Sequence, residues 1–457
     1  MSDAIQHLEP ADIARLAARR TTAVLWLDGA GAHTWGEFGA AVEAARRQCE
    51  AAGVGPGEIV ITPGDASPEA LAWLFGVALV GGVVAPLRAA RAGEIETWKR
   101  HCEIGWRVNG GRIEARKEGI ATPASARLLA ELRARDRPGL LLGTGGTTGR
   151  PRLVLHDLGA LLASIPVRAG RPARIMPLMK FDHIGGLDIA WRALASGQTL
   201  VAPPKEITPE AVAEKIAEAG VEVLPATPSF LNLLLLSGAA RSHELRSLRT
   251  VPYGAEPMPA GLLTRLRAAL PGVDFRERFG TSETGALPVR AEGEGLVLPE
   301  AFSGFAWKIV EGELWVLSPA RALGYLTGEA GGFAEGGWFC TGDLAERRED
   351  GAIRVLGRRS DLINVGGEKV LPSVVETVLM GHPLVADCRV FAAANAVLGQ
   401  VVAAEIVWRG PERDALTVKR ALHAWATALP NCHLPAVVRL ADAIYTSGNL
   451  KKVRTIT

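Results

Sequence analysis

The sequence has few cysteines and no long run of charge of one sign. Its five cysteines stand singly, without the paired spacing of a zinc site or the even number of a disulfide framework. The 51 basic and 49 acidic residues nearly cancel to a formal charge of +2, which disfavours an electrostatic nucleic-acid binder. We therefore expect a reducing, cytoplasmic location and small-molecule partners rather than nucleic acid.

The sequence also lacks an obvious targeting or membrane segment. Acidic and basic residues are mixed over the first 20 positions, where a secretory signal would need an apolar core. The 18 uncharged residues 70–87 approach the length of a membrane span. Three glycines and Pro86 divide them into a predicted helix over 69–79 and a strand over 83–86, so we interpret this stretch as buried core.

The length and the hydrophobic pattern predict at least two domains. A chain of 457 residues with 48% hydrophobic content buries more than one core, because single cores rarely exceed about 250 to 300 residues. Helical and strand-like patterns alternate over 34–203 and 207–289, which predicts layered α/β sheets, and 304–355 is typical of a β-rich subdomain. We predict a large N-terminal domain over 1–357 and a small α+β domain over 358–457.

These patterns predict individual elements as well. The predicted helices span 35–53, 209–219, 229–236 and 372–380. The predicted strands span 59–62, 199–202, 221–225, 313–318, 386–392 and 401–407.

The most informative segment is rich in glycine and threonine and ends in two arginines, over 141–152. Glycines let backbone N–H groups approach an anion, threonine hydroxyls add donors, and a following cation offsets phosphate charge. The segment lacks the Gly-Lys-Ser/Thr ending of a Walker loop, and a tight hairpin loop is the alternative interpretation. The candidate phosphate-binding residues are Thr144, Gly145, Gly146, Thr147, Thr148, Gly149 and Arg152.

This loop resembles the signature of the acyl-adenylate-forming enzymes, which include acyl- and aryl-CoA ligases, peptide-synthetase adenylation domains and firefly luciferase. The family usually has Thr-Ser-Gly-Thr/Ser-Thr-Gly-x-Pro-Lys-Gly. Here Gly145, Arg152 and Leu153 replace the serine, the lysine and the last glycine, so the cation is retained. The resemblance implies that the chain binds ATP and a carboxylic acid.

Two further segments resemble family motifs that surround the adenine. Tyr-Gly-Ala-Glu-Pro at 253–257 resembles the segment that passes along the ring. Arg-Phe-Gly-Thr-Ser-Glu at 278–283 resembles Tyr-Gly-x-Thr-Glu, in which an aromatic ring stacks on adenine and the glutamate, here Glu283, helps to hold Mg²⁺ and assists catalysis. The implied nucleotide-binding residues are Gly254, Ala255, Glu256, Arg278, Phe279, Gly280, Thr281 and Ser282.

The segment 337–343, Gly-Trp-Phe-Cys-Thr-Gly-Asp, resembles the motif whose aspartate accepts hydrogen bonds from both ribose hydroxyls. An ionised carboxylate suits a vicinal diol because it only accepts hydrogen bonds. Arg358 corresponds to the arginine that the family places near the ribose. Without the resemblance, Asp343 would be interpreted as a turn aspartate and Arg358 as a single basic residue.

The resemblance also implies a mobile C-terminal domain. Family members rotate this domain between an adenylating and a thioester-forming pose about a hinge, usually Asp or Lys, where this chain has Ser360. Gly366 and Gly367 lie in a segment that resembles the loop lining the thiol tunnel of CoA-using members. CoA is therefore the implied acceptor.

The segment 446–454, Thr-Ser-Gly-Asn-Leu-Lys-Lys-Val-Arg, resembles the closing Gly-Lys-x-x-Arg motif. Its spacing to Arg454 selects Lys451 as the catalytic cation that bridges the substrate carboxylate and the α-phosphate. Gly448 lies three residues before Lys451 instead of next to it, which leaves Lys452 open. Charge patterning alone would favour a solvated basic tail.

For the acid site, His183 corresponds to the aromatic or histidine position at the pocket wall, although a single histidine beside apolar residues is more often part of a core. Amino-acid-activating relatives hold the substrate ammonium with an aspartate just after this position, where Ile184 stands here. Asp182 lies two residues earlier. The alignment therefore favours an acid without an α-amino group and does not separate aryl from aliphatic acids.

The resemblance therefore implies a ligase that uses ATP, Mg²⁺ and CoA to make an acyl-AMP and then a thioester. Loading of a carrier-protein phosphopantetheine, another use of the adenylate, and a non-catalytic nucleotide- or acyl-binding homologue are the alternatives. The region 88–138 is short for the family. It would either expose one side of the fold or create an oligomer surface, as in a homodimer.

Overall fold

The structure is a computed structural model that describes residues 7–145, 151–168, 171–242, 245–289, 298, 301–302, 304–328, 331–349, 351, 353–444 and 452. Its α-helices are α1 (Asp12–Arg19), α2 (Trp35–Ala52), α3 (Pro68–Leu79), α4 (Ile95–Trp98), α5 (Pro123–Ala134), α6 (Leu158–Ala163), α7 (Ile184–Ser196), α8 (Pro209–Ala219), α9 (Pro228–Leu236), α10 (Ala239–Ser242), α11 (Ala260–Ala269), α12 (Pro372–Leu379) and α13 (Ala415–Trp425).

The first strands in chain order are β1 (Val24–Asp28), β2 (Gly31–Thr34), β3 (Ile59–Pro63), β4 (Val83–Leu87), β5 (Glu103–Asn109), β6 (Arg112–Gly119), β7 (Gly139–Gly145), β8 (Pro151–Asp157), β9 (Arg174–Ile175), β10 (Thr199–Val201), β11 (Thr250–Gly254), β12 (Asp274–Arg278), β13 (Gly280–Thr281) and β14 (Gly285–Ala286). The others are β15 (Ala301–Phe302), β16 (Phe305–Val310), β17 (Glu313–Leu317), β18 (Gly324–Tyr325), β19 (Trp338–Arg347), β20 (Ile353–Arg358), β21 (Ile363–Val365), β22 (Glu368–Val370), β23 (Val385–Asn395), β24 (Gly399–Trp408) and β25 (Val437–Leu440).

The largest sheet has seven strands in the order β18-β8-β7-β4-β3-β5-β6. Strands β3, β4, β5 and β7 run parallel, and the apolar runs of β3, β4 and β7 are buried on both faces, as parallel sheets require. Helix α3 packs beside this sheet with residues 70–78 buried, so the uncharged stretch is core, as predicted. None of the helices in the described ranges is long and apolar enough to cross a membrane.

A second layer combines the sheet β2-β1-β10-β9 with the parallel pair β11 and β12. The strand predicted over 221–225 does not form a ladder, and that prediction was wrong. Only single bridges occur here, from Val223 to Ile175 and Thr250 and from Ala226 to Tyr253. Pro225 lacks a backbone N–H, which prevents it from donating to a continuous ladder.

Two further sheets complete the architecture, the first antiparallel and the second mixed, because its β24 and β25 pair parallel. The strands β15-β16-β17-β19-β20 form the predicted β-rich part, in a single five-stranded sheet. The strands β21 to β25 form a separate sheet, here called the C-terminal sheet, with α12 and α13 packed on it. Its hydrophobic cluster extends from Ile363 to Ala426 and is distinct from the clusters of the preceding sheets. The mixed α/β architecture agrees with the predicted fold class.

The parallel pairing of β11 and β12 brings two predicted motifs together at one sheet edge. The register places Gly254 opposite Arg278, at the carboxyl ends of both strands. Open α/β sheets bind ligands outside such carboxyl ends. A Cβ atom on residue 254 would lie 2.3 Å from the carbonyl oxygen of Arg278, so this close approach requires glycine.

We expect Gly254→Ala to destabilise the protein, because the added methyl group would force β11 and β12 apart. Overpacking of this kind costs about 1 to 3 kcal/mol. The urea midpoint of unfolding should fall accordingly. Gly29→Ala is the control, because a Cβ atom at residue 29 has no neighbour within 4 Å, and it should leave the midpoint unchanged. Equal midpoints for both variants would contradict the proposed close approach.

Candidate active site

A cleft of about 900 Å³ opens between the ends of β11 and β12, the β19–β20 pair and the C-terminal sheet. Its volume falls in the range of small-molecule and cofactor sites, about 300 to 1,000 Å³. The predicted site residues that line it are Ala255, Glu256, Arg278, Phe279, Gly280, Asp343, Arg358 and Ser360. The structure therefore brings the predicted adenine, ribose and hinge segments to one cleft.

The predicted adenine segment is shaped by backbone pairing. Phe279 lies between β12 and the short strand β13, whose Gly280 pairs with Ala286 of β14. A Cβ atom at Gly280 would lie 2.4 Å from the carbonyl oxygen of Gly285, so this hairpin is as tight as the β11–β12 edge. Burial, together with the neighbouring Arg192, lowers the pKa of the Arg278 side chain.

The best-defined polar group in the cleft is the carboxylate of Asp343. Antiparallel register sets Asp343 on β19 opposite Arg358 on β20. Arg358 Nε lies 2.9 Å from Asp343 Oδ1, and its Nη1 donates to the carbonyl oxygen of Thr341 at 2.9 Å. Among the described residues, no group donates to Asp343 Oδ2, although this oxygen is buried. A hydroxyl of a bound ligand would satisfy it.

Burial also controls the charge of this carboxylate. It raises the pKa of Asp343 to about 6, while Arg358 acts in the opposite direction. At neutral pH the group is ionised and only accepts hydrogen bonds, which suits a vicinal diol. At acid pH the folded protein binds a proton here.

The strands that flank the predicted phosphate loop, β7 and β8, pair antiparallel. Thr144 of β7 pairs with Arg152 of β8, and Gly145 pairs with Pro151. The predicted residues Gly146, Thr147, Thr148 and Gly149 lie outside the described residues.

Glu283 is held by a residue that the sequence analysis did not select. The hydroxyl of Tyr325 donates to Glu283 Oε1 at 2.8 Å, and the Arg152 guanidinium lies 5.3 Å from the centre of the Tyr325 ring. Strand β18 carries Tyr325 to this place by pairing with β8. Burial and the nearby Glu283 raise the pKa of Tyr325, so this hydroxyl stays a donor. Tyr325 thus links Glu283, the predicted magnesium ligand, to Arg152, the cation predicted to bind phosphate.

His156, which the sequence motifs did not indicate either, holds the segment before Glu283 in place. Its Nε2 lies 2.7 Å from the carbonyl oxygen of Ser282, and its side chain is buried. Burial lowers the pKa of His156 to about 4, so the ring is neutral at pH 7 and Nε2–H donates to Ser282. The Glu283 N–H donates to Thr281 Oγ1 at 3.2 Å. Thr281 and Ser282 therefore shape the backbone that carries Glu283.

The predicted acid-site residue His183 lies outside this cleft, at the start of helix α7. The preceding Asp182 is buried, and its Oδ2 lies 2.8 Å from Arg88 Nε and 2.9 Å from Arg91 Nη1. Arg91 Nη2 also donates to the carbonyl oxygen of Gly143 at 3.2 Å, which ties this segment to strand β7. The negative charge of Asp182 is already neutralised by protein arginines.

The structure separates the predicted hinge from the predicted thiol-tunnel glycines. Ser360 lies in a short 3-10 turn, Arg359–Asp361, and its hydroxyl lies 3.2 Å from Asp361 Oδ1. Gly366 and Gly367 form the exposed turn between β21 and β22, with φ values of 59° and 105° that favour glycine. Neither glycine lines the cleft.

Of the two candidate catalytic lysines near the C-terminus, the structure describes only Lys452. Lys451 lies outside the described residues. Lys452 lines the cleft, but its ammonium donates to Asp387 Oδ1 at 2.6 Å and to the carbonyl oxygen of Cys388 at 2.7 Å. Its backbone N–H donates to Glu256 Oε1 at 2.8 Å. The side chain of Glu256 is therefore engaged with protein groups.

Comparison with known proteins identifies the family. The AMP-binding enzyme family matches residues 114–326, and the AMP-binding enzyme C-terminal domain matches residues 374–455. The chain belongs to the acyl-adenylate-forming enzymes, as an AMP-forming ligase that uses ATP.

Curated relatives with similar sequences include two kinds of ligase. The chain is 27% identical over 344 residues to a 2-succinylbenzoate–CoA ligase of Bacillus cereus, covering 69% of this chain and 68% of the relative. It is 30% identical over 352 residues to a fatty acid–[acyl-carrier-protein] ligase of Streptomyces coeruleorubidus, covering 70% of this chain and 66% of the relative.

Solved structures confirm the predicted fold class. An anthranilate CoA ligase in complex with anthranoyl-AMP matches with a TM-score of 0.80 at 19% identity, over 99% of this chain and 97% of that one. The o-succinylbenzoate CoA synthetase of Bacillus subtilis matches with a TM-score of 0.73 at 22% identity, over 98% and 97% of the two chains.

The titration of Asp343 gives a pH prediction. Because the ionised form accepts from the diol, adenosine affinity should rise with pH and level off above a midpoint near pH 6. Adenosine is the probe because it lacks the phosphates that titrate in this range.

Calorimetry of Asp343→Asn should show at least tenfold weaker adenosine binding without this pH dependence. Glu346→Gln, an exposed acid on the same strand, is the control. Adenosine affinity that is constant from pH 5 to 8 in the unmodified protein would contradict the assignment.

We expect Tyr325→Phe to slow pyrophosphate formation about tenfold at subsaturating Mg²⁺. The change keeps the ring under Arg152 but removes the hydrogen bond to Glu283, and a bond to a charged group contributes about 1.5 to 3 kcal/mol. A magnesium titration of the rate measures the effect. Identical magnesium dependence in both proteins would show that Tyr325 does not position Glu283.

Proposed function

We propose that this enzyme activates a carboxylic acid without an α-amino group as its acyl adenylate and transfers the acyl group to CoA. The observation that carries the proposal is the buried Asp343 carboxylate, which lies in a cleft large enough for a nucleotide. One of its oxygens pairs with Arg358, and the other has no hydrogen-bond donor among the described residues. The names of the curated relatives, a 2-succinylbenzoate–CoA ligase and a fatty acid–carrier ligase, support acid activation with thiol transfer.

In the first step, a carboxylate oxygen of the acid attacks the α-phosphorus of ATP, and pyrophosphate leaves. Asp343 and Arg358 hold the ribose, Phe279 packs against the adenine, and the loop 144–152 binds the phosphates. Mg²⁺, which offsets the charge of the leaving pyrophosphate, would be held by Glu283. A single carboxylate suits this ion, because Mg²⁺ fills its other positions with phosphate oxygens and water.

Lys451 is the proposed cation that stabilises charge between the carboxylate and the α-phosphate. The bonds of the Lys452 ammonium to Asp387 and Cys388 support this choice, because they commit that side chain to protein partners. Spacing to Arg454 favours the same residue.

In the second step, the thiol sulfur attacks the carbonyl carbon of the acyl adenylate, AMP leaves, and the thiol proton passes to solvent or base. We assign this step to a second position of a C-terminal domain over 358–457, with Ser360 as the hinge and Gly366 and Gly367 at the thiol tunnel. The exposed glycine turn supports this assignment, since it is open to a partner and carries no bulky side chain.

The class of acid is supported by the surroundings of Asp182. A substrate ammonium in a buried pocket needs an unpaired carboxylate. Asp182 is the carboxylate nearest in sequence to the proposed pocket wall at His183, and Arg88 and Arg91 neutralise it. The proposed substrates are therefore aryl or aliphatic acids without an amine at the α-carbon.

A carrier-protein phosphopantetheine is a second candidate acceptor, favoured by the 30% identity to the fatty acid–[acyl-carrier-protein] ligase. Preformed acyl-AMP offered to CoA, to a phosphopantetheinylated carrier and to the unmodified carrier separates the two acceptors. Thioester formation with CoA alone supports the main proposal, and formation with the modified carrier alone replaces it.

We expect pyrophosphate release with members of an aryl and aliphatic acid panel and none with α-amino acids. Lys451→Ala should lower the rate at least a hundredfold, because removal of one electrostatic donor to a transition state costs about 2.7 to 4 kcal/mol. Lys215→Ala is the control, since this lysine pairs with Glu218 on the exposed side of α8. Absence of acid-dependent release from the whole panel, or an active Lys451→Ala variant, would overturn the proposal.

A further inference from the structure

A buried polar network joins the C-terminal sheet to the preceding sheets around Lys452. The Lys452 side chain is 11% exposed and its partner Asp387 is 5% exposed. A buried ammonium without a partner is strongly destabilising, so the pair with Asp387 holds the Lys452 side chain in place.

Within the described residues, the partners of the Lys452 side chain all belong to the C-terminal sheet and its helix α12. Asp387 and Cys388 lie on β23, and Glu376 of α12 lies close enough to raise the pKa of Lys452 together with Asp387. Asp387 Oδ1 also accepts the N–H of Cys388 at 2.9 Å, which orients the carboxylate. We call the Lys452–Asp387 pair the anchor. A movement of the C-terminal sheet would keep these bonds, because both partners would move together.

The backbone of Lys452 makes a different kind of contact. Its N–H donates to Glu256 Oε1 at 2.8 Å, and Glu256 belongs to the segment after β11. Glu256 Oε2 accepts from Ser229 N at 3.1 Å and from Ser229 Oγ at 2.6 Å, at the start of α9. The hydrogen bond between Lys452 and Glu256 therefore links the C-terminal sheet to the part of the molecule that contains β11 and α9.

A second crossing contact lies beside the first. Asn232 Nδ2 donates to the carbonyl oxygen of Ala386 at 3.3 Å, and Arg265 Nη2 donates to Asn232 Oδ1 at 3.2 Å. The hydrophobic clusters on the two sides remain separate. Polar interfaces between separate cores favour relative motion of the two parts. A movement of the C-terminal sheet would therefore break the Glu256 link and leave the Lys452–Asp387 anchor intact.

We propose that Lys452 and Glu256 are positioning residues of the acid-activation step: Asp387 anchors the Lys452 ammonium, and Glu256 accepts from the Lys452 backbone N–H at the cleft, a contact here called the latch. This inference rests on the proposed two-step function. It assigns a specific task to the lysine next to Lys451. It also reassigns the Glu256 side chain from nucleotide binding to control of the C-terminal pose.

The latch is tested by measuring the two half-reactions separately. Glu256→Ala should lower acid-dependent exchange of pyrophosphate into ATP at least tenfold, while thioester formation from preformed acyl-AMP stays within twofold of the unmodified enzyme. ATP affinity should also stay within twofold, because the carboxylate faces protein groups. Equal loss in both half-reactions, or no loss in either, would overturn the latch.

The matched variants at position 452 separate charge from bulk. Lys452→Met should lower pyrophosphate exchange as Glu256→Ala does, and Lys452→Arg should restore at least part of the rate, because it keeps a cation beside Asp387. The control is Lys419→Met, because this partly exposed lysine of α13 bonds only to the carbonyl oxygen of Ala436 in the described structure. Failure of Lys452→Arg to exceed Lys452→Met would overturn the role of the charge.

The anchor has an independent readout in thermal unfolding. Lys452→Met and Asp387→Asn should each lower the midpoint, and the double variant should be no less stable than the worse single variant, because both remove the same pair. Additive shifts would overturn the anchor. If no acid supports adenylate formation by the unmodified protein, the proposed function fails, while this cycle still decides whether the pair exists.

Discussion

The cleft depends on one constrained interaction, the burial of the Asp343 carboxylate against Arg358. Antiparallel register of β19 and β20 sets the two side chains opposite each other, and burial leaves one carboxylate oxygen without a protein donor among the described residues. Such an oxygen is costly in the free protein. A hydroxyl of a bound ligand would recover that cost, which is why we propose that the ribose of ATP binds here.

The other parts of the site converge on this point from different sheets. The β11–β12 edge supplies the proposed adenine side, β8 and β18 bring Arg152 and Tyr325 towards Glu283, and the C-terminal sheet lines the cleft with Lys452. The first two parts are rigid because they are built from paired strands. The last is joined by polar contacts, which suits an enzyme whose proposed half-reactions need different surroundings.

Local sequence signals predicted much of the fold. The helix predicted over 209–219 is α8, because Thr208 caps it, proline starts it and Gly220 ends it in a left-handed conformation. The motifs likewise predicted that Asp343 and Arg358 would meet. The strand over 221–225 failed because its pattern ignored the missing N–H of Pro225. Tyr325 and Asp387 were missed because each meets its partner, Glu283 or Lys452, only through a contact between residues that lie far apart in the sequence.

The most direct test of the account follows oxygen from the acid into AMP. An acid labelled with ¹⁸O in both carboxylate positions is incubated with the enzyme, ATP, Mg²⁺ and CoA, and the AMP is analysed by mass spectrometry. Attack of the carboxylate on the α-phosphorus, followed by thiol attack on the carbonyl carbon, leaves one labelled oxygen in each AMP formed. Unlabelled AMP, or ADP as the nucleotide product, would contradict activation through an acyl adenylate.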